Sequence, residues 1–297
     1  RQLAKGTGAE KYISEVDYHF GYAKKADFEA DKFAWDIRKE NGHKFEVLTK
    51  GQFKRIDPIY DGQFEVVVAN KQHGKISDPG AYIKALATHF QKKGGTLLKA
   101  NIEGLIEENT EDGNCLKGLK TDQGDVLADQ IVFTLGPWSG DISKKLGLKI
   151  PFESERGYHI ELVNPTSAPK APIMVASGKF VVTPMDGRIR LAGIVEFGGL
   201  KAGPSKAPIE LLKKNAKSLF PDLEYERIDE WLGHRPTTAN SLPVIGRISK
   251  YNNALVGFGH QHVGLTGGAK TGRILADLVS QKMGNIDLDE FSPSRYS

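Results

Sequence analysis

Several shortages in this sequence each close off a class of function. One cysteine, Cys115, stands in 297 residues. No internal disulfide can form, and no multi-cysteine metal or iron–sulfur site can be assembled from this chain. Such usage suits a reducing compartment, and no metal site is expected. No apolar run approaches the ~18 to 20 residues that a spanning helix requires, and Arg1-Gln2-Leu3-Ala4-Lys5-Gly6 does not read as a signal peptide. The expected location is cytoplasmic, or peripheral on the inner membrane face. No long run of one charge occurs either: 41 Lys and Arg face 37 Asp and Glu, a net charge of +4 spread along the chain. A nucleic-acid partner is therefore not expected. Internal repeats, low-complexity tracts and any G-x-G-x-x-G are also missing.

What is present is an ordinary globular composition, 39% hydrophobic and 26% charged, in a chain longer than one average domain needs. Ala26 to Asn41 carries Phe28, Phe33, Ala34 and Ile37 near helical spacing, with Gly42 as a stop. Ser77 or Asp78 caps a helix that Pro79 suits in its first turn and Gly94-Gly95 closes, since a polar cap and a proline there satisfy or dispense with orphan N–H groups. Strands are read at Thr96 to Leu98, at Ile102 to Glu108 and Leu116 to Thr121 around Glu111-Asp112-Gly113-Asn114, and at Gln130 to Leu135. The last of these is a continuous apolar run suited to a buried parallel strand. A helix from Trp138 to Leu146 follows. Lys179 to Pro184 and Arg188 to Val195 are strands joined at Met185-Asp186-Gly187, and Ile209 to Leu219 is a helix. Near the end, Ala254 to Phe258 is a strand, and a glycine-rich turn leads into a helix from about Thr266 to Lys282.

Two α/β stretches thus alternate with two antiparallel, strand-rich ones. The fold class read from this is α/β plus α+β: a Rossmann-like, nucleotide-binding-type domain interleaved with an antiparallel-sheet substrate-type domain. The boundaries place substrate-domain segments at 1–72 and 148–232. Nucleotide-domain segments fall at 73–147 and at 233–297.

Two segments carry chemistry together. One runs Trp231-Leu232-Gly233-His234-Arg235-Pro236-Thr237-Thr238-Ala239-Asn240-Ser241-Leu242-Pro243-Val244-Ile245-Gly246. The other runs Gly257-Phe258-Gly259-His260-Gln261-His262-Val263-Gly264-Leu265-Thr266-Gly267-Gly268. Glycines at a strand-to-helix turn let backbone approach a flat ligand, and a helix N-terminus offers N–H donors and a positive dipole end. An arginine fork holds both oxygens of a carboxylate.

In these motifs the sequence resembles the D-amino-acid oxidase superfamily of FAD-dependent amine oxidoreductases, which includes D-amino-acid dehydrogenases, glycine oxidases and sarcosine oxidases. Asp78-Pro79, Gly136-Pro137-Trp138-Ser139, Arg156-Gly157-Tyr158 and Gly187-Arg188-Ile189-Arg190-Leu191-Ala192-Gly193 occur in the family's order. The tail Ser294-Arg295-Tyr296-Ser297 is similar to the end of D-amino-acid dehydrogenases.

The resemblance implies FAD, a small amino-acid substrate, and a quinone, electron-transfer protein or oxygen as electron acceptor. It implies oxidative deamination, with hydride passing from the substrate Cα–H to the flavin and the imine hydrolysing to a 2-oxo acid. Arg235 is the implied carboxylate ligand, with His262 at a second polar position and Tyr158 as a further catalytic candidate. Ile102, Gly136, Trp138, Gly259, His260, Gly264, Leu265 and Thr266 are the implied cofactor contacts. Arg190, in mid-strand, is expected to make a structural ion pair.

The family's opening G-x-G-x-x-G unit has no counterpart here, so the resemblance implies an incomplete Rossmann-like FAD-binding domain, made of 73–147 and 233–297, whose first βαβ unit is missing. Gly6-Thr7-Gly8 and Gly257-Phe258-Gly259 imitate its first half only. Arg1 is therefore expected to fall after that fingerprint, and the 297-residue piece alone to be inactive. The alternatives are an oxidase of sarcosine- or glycine-type amines and a non-catalytic fragment with only its substrate domain intact.

Overall fold

The computed structural model describes residues 1–111, 113–282 and 284–296. Asp112 of the expected hairpin tip and Ser297 of the tail motif lie outside the described residues. The first half runs β1 (Ile13–Tyr22), α1 (Lys25–Ala30), α2 (Lys32–Glu40), β2 (Phe45–Thr49), α3 (Lys50–Ile56), β3 (Val66–Ile76), α4 (Pro79–Lys92), β4 (Ile102–Thr110), β5 (Gly113–Thr121), β6 (Gly124–Leu127), β7 (Ile131–Phe133) and α5 (Ser139–Lys145). The second half runs β8 (Phe152–Val163), β9 (Ile173–Val175), β10 (Phe180–Met185), β11 (Arg188–Phe197), α6 (Lys206–Leu219), β12 (Arg227–Thr238), β13 (Val244–Arg247), β14 (Ala254–Phe258) and α7 (Gly264–Val279). The mixed α/β class is as expected.

The chain divides into two compact units, one of 1–89, 157–196 and 203–233, the other of 90–156, 197–202 and 234–297. The boundary read at 72/73 falls at 89/90 instead, because β3, which pairs with β1 from Val66 to Ile76, stays whole in the first unit. The later seams fall at 156/157 and 233/234, within β8 and β12, so these two strands run from one unit into the other.

The first unit is built on an eight-stranded sheet in the order β12-β8-β11-β10-β9-β1-β3-β2. Along β8, Tyr158, Ile160 and Leu162 point into the core while His159 and Glu161 take the opposite face, the period-2 alternation of a strand. The core is closed by Phe53 of α3 and by Ile209, Leu212, Ala216 and Leu219 of α6. Arg188 and Arg190 both bind Glu161, at 2.9 and 2.6 Å, so Arg190 is a structural ion pair as read. The helical stripe read at Phe28, Phe33, Ala34 and Ile37 does not form one buried face: Asp31 separates α1 from α2, Phe33 is exposed, and the buried anchor is Trp35. Its Nε1 donates to the Tyr22 hydroxyl at 2.8 Å, which a residue-spacing argument does not register.

In the second unit, β7, β14 and β13 form one sheet, with β14 parallel to β7 and antiparallel to β13. β14 is buried along its whole length because both faces are covered. Ala254, Val256 and Phe258 join the core of Leu116, Ile131, Phe133, Leu146 and Tyr251, while Leu255 packs with Ile245 and with Leu275 of α7. Such two-sided burial makes the strand an unbroken apolar word in the sequence. β7 is shorter than the six-residue strand read there, and Val132 between its two buried neighbours is exposed. Thr96 to Leu98 forms no strand; Leu97 and Leu98 are exposed, and short apolar residues without a pairing edge stay irregular. The hairpin of β4 and β5 continues into β6 as an antiparallel sheet. Among the described residues no helix is long and apolar enough to cross a membrane.

Candidate functional site

The site is assembled around Glu155, a residue that the sequence reading passed over. Glu155 lies on β8, and its carboxylate is only 9% exposed. Its Oε1 accepts from Arg235 Nη1 at 3.2 Å and pairs with His262 Nε2 at 2.8 Å, while Oε2 has only a long 3.5 Å approach from the Thr237 hydroxyl. The three partners come from β12 and from the turn after β14. A buried carboxylate must be paired, and two nitrogen-bearing side chains do so here. Burial lowers the Arg235 pKa from its ordinary value, even with Glu155 beside it, yet the group stays charged. Its other N–H groups have no hydrogen-bond partner among the described residues. That leaves a half-buried cation with one edge held and the rest of its fork available.

Next to this group, Ser154 Oγ lies 2.7 Å from His234 Nδ1, and the His234 ring meets Trp138 edge-on at 6.5 Å. Trp138 follows Gly136, whose φ of 54° is left-handed. A depression of about 180 Å³, lined by Trp138, Gly140, Lys144, Phe152 and Ser154, opens there.

The turn from β14 to α7 explains its glycines in two different ways. A Cβ on Gly257 would stand 2.6 Å from Leu275, so this glycine lets α7 rest on the strand. Gly259 has φ +86°, and a Cβ there would stand 3.0 Å from Thr238; backbone and packing already require glycine at this position. Gly264 and Gly267 would meet only His260, at 3.5 and 3.4 Å, and a Cβ on Gly268 would meet nothing. Space is therefore open along the first turns of α7, which starts without a side-chain cap. Leu265 and Val263 are exposed apolar residues in the same segment, and Trp138 is 62% exposed. A flat apolar cofactor with acceptor atoms fits these residues. Gln261 holds φ 46°, unusual without glycine, and its side chain donates to the Thr238 carbonyl at 3.2 Å, bracing the turn.

His260 Nε2 lies 2.7 Å from the Thr271 hydroxyl on α7, and burial pushes its pKa below that of a free histidine. In the other unit burial does the same to His19. In both, the unfolded chain takes up a proton more readily than the folded one, so folding stability is present above the ordinary histidine range and falls as pH drops through it. The buried Asp57, whose pKa burial raises, works in the opposite sense. Melting temperature is expected to decline from pH 7.5 to pH 5, and His260→Gln to flatten that slope. An unchanged slope in the variant would refute the assignment to His260.

Of the other residues expected at the site, Thr266 and Leu265 lie on the first turns of α7, beside Gly264. Ile102 begins β4, paired with Thr121 in the hairpin sheet. Tyr158 belongs to the first unit, where its hydroxyl donates to Glu196 at 2.6 Å and accepts from the Ser205 backbone N–H at 3.0 Å. Those bonds tie β8 to β11 and the start of α6. Glu155 carried one faint signal, its place directly before Arg156-Gly157-Tyr158. Its partner Arg235 is 80 residues away. Among the described residues no group of three or more His, Cys, Asp or Glu is placed to hold a metal.

Known proteins resemble this chain in sequence and in fold. The family described as FAD dependent oxidoreductase matches residues 7–278. The chain is 34% identical over 300 residues to the D-amino-acid oxidase of Bradyrhizobium diazoefficiens, covering 100% of this chain and 70% of that protein. It is 27% identical over 278 residues to the D-amino acid dehydrogenase of Rhizobium rhizogenes, covering 92% of this chain and 66% of that protein. The chain thus spans about two thirds of the length of these relatives. Among solved structures, glycine oxidase from Geobacillus kaustophilus superposes with a TM-score of 0.86 at 22% identity, covering 100% of this chain and 79% of that one. L-proline dehydrogenase from P. horikoshii gives 0.80 at 22% identity, covering 99% and 80%. These two likenesses are of fold.

Proposed function

We propose, from the premise that this chain belongs to the FAD dependent oxidoreductase family, that it oxidises the Cα–N bond of an amino acid. The D enantiomer is favoured by the curated relatives, which are named for D-amino acids. The single observation that carries the substrate class is Arg235, held at one amino group and otherwise without a hydrogen-bond partner among the described residues. A guanidinium in that state is a receptor for a carboxylate.

Gly264, Leu265, Thr266, Gly267 and Gly268 on α7, with Trp138, are the residues that would hold the cofactor, which when bound supplies a two-electron acceptor. The uncapped N-terminus of α7 favours negative charge beside it. Arg235 binds the substrate carboxylate, and His262, paired to the same Glu155 oxygen, is the second polar group of the anchor. Together they orient Cα, and alignment is most of what such an oxidation asks of the protein. The product imine hydrolyses in water to a 2-oxo acid and ammonia.

The test is anaerobic mixing of the FAD-loaded protein with D-alanine, L-alanine and sarcosine, following flavin absorbance and 2-oxo acid. Fast bleaching by D-alanine with pyruvate formed is expected. Preference for sarcosine would replace this reading by the secondary-amine one, and bleaching by none of the three would overturn it. The acceptor and peripheral seating on the inner membrane face belong to the same proposal. Oxygen uptake, reduction of a quinone analogue and co-sedimentation with vesicles separate them.

A further inference from the structure

We propose that Glu155 is the positioning residue of the carboxylate site and sets its affinity: it fixes Arg235 by one amino group and, as an anion, opposes each incoming carboxylate. This rests on the reading of Arg235 as the carboxylate anchor.

Three features of the geometry point to it. One oxygen, Oε1, serves both Arg235 at 3.2 Å and His262 at 2.8 Å, while Oε2 has only Thr237 at 3.5 Å. The contact to Arg235 is longer than the ~2.7 to 2.9 Å of a strong charge-assisted bond, so the guanidinium is pinned at one point and not forked. The carboxylate side chain is 9% exposed against 22% for the arginine, so the anion is the more deeply buried partner. Solvent screens it little there, and its charge acts at close range on whatever binds to Arg235.

Two isolated roles separate by substitution. Glu155→Gln keeps the length of the side chain and an oxygen that accepts from Arg235 and His262, but removes the charge. Arg235 then lacks a protein counterion, and an arriving carboxylate supplies one. Glu155→Asp keeps the charge but draws both oxygens back by one carbon–carbon bond, ~1.5 Å, which breaks the contacts that orient Arg235. Damage of a merely structural kind weakens binding in both variants. The positioning role moves them in opposite directions.

The FAD-loaded protein and its Glu155→Gln, Glu155→Asp and Arg235→Ala variants are titrated with propionate, an unreactive carboxylate, and with its neutral isostere propionamide, by calorimetry and flavin absorbance. Glu155→Gln is expected to tighten propionate about 3- to 10-fold and Glu155→Asp to weaken it by a similar factor, each tenfold step being ~1.4 kcal/mol. Propionamide is expected to bind all four proteins alike. If Arg235→Ala binds propionate as the unsubstituted protein does, the anchor reading itself fails. If Arg235→Ala loses binding but Glu155→Gln is weakened, or Glu155→Asp is unchanged, the anchor stands and the role given to Glu155 is overturned.

Discussion

Arg235→Ala is expected to lower kcat/KM toward amino acids by at least ~10-fold, and by ~100-fold if both carboxylate oxygens are bonded, because each charge-assisted bond contributes ~1.5 to 3 kcal/mol. The structure adds a consequence for the milder variant. Arg235 meets Glu155 through one amino group, and in the proposed reading the rest of its fork takes the substrate carboxylate. Lysine has one ammonium and cannot serve two carboxylates in fixed planes. Arg235→Lys is therefore expected to fall nearer to Ala than to the unsubstituted enzyme. Flavin content should be unchanged in both, since the open glycines of α7 and not Arg235 are the proposed cofactor contacts. Amines lacking a carboxylate should show no comparable penalty. Normal kcat/KM toward amino acids in Arg235→Ala would remove the anchor role and pass it to His262.

Phe258→Ala is expected to cost ~3 to 5 kcal/mol of folding stability, the range for deleting a buried aromatic side chain and leaving its cavity. Phe258 is 2% exposed, ends β14, and packs edge-to-face on Phe152 at 5.6 Å. Phe152 begins β8 and Phe258 precedes the glycine turn, so one aromatic pair ties down the segments that supply Glu155 and His262. A loss of that size corresponds to a fall in melting temperature of the order of 10 °C. Phe258→Leu, which refills much of the volume, should cost roughly 1.5 kcal/mol or less. Urea titration of both variants checks this. Should Phe258→Ala come within 1 kcal/mol of the unsubstituted protein, the pair would not be the tie described here.

Elements with a local cause were legible in the sequence. The N-terminus of α4 follows from Asp78, whose carboxylate accepts the Ala81 N–H at 2.9 Å, and from Pro79. The β10–β11 connection follows from Asp186-Gly187, with Gly187 at φ 69°. β14 was plain because two-sided burial leaves no polar residue in it, whereas Arg235 and His262 were picked out through the family resemblance of the motifs that hold them.

The rest was settled by contacts between residues far apart in the chain. Thr96 to Leu98 has strand-like composition, but a strand exists only where an edge receives it. Gly257 and Gly259 look like Gly264 and Gly268 in the sequence. Only the position of Leu275, the backbone φ and the side chain of Thr238 show that the first two are glycines for packing, while Gly264 would meet only His260 at ordinary contact and Gly268 faces open space. Glu155 had only its place before Arg156-Gly157-Tyr158 to mark it, because a buried carboxylate acquires meaning from the charges that surround it, and those arrive on β12 and on the turn before α7. Periodicity, caps and turns report free energies set within a few residues. Pairing of charges and filling of volume depend on positions in space that the chain reaches only when folded.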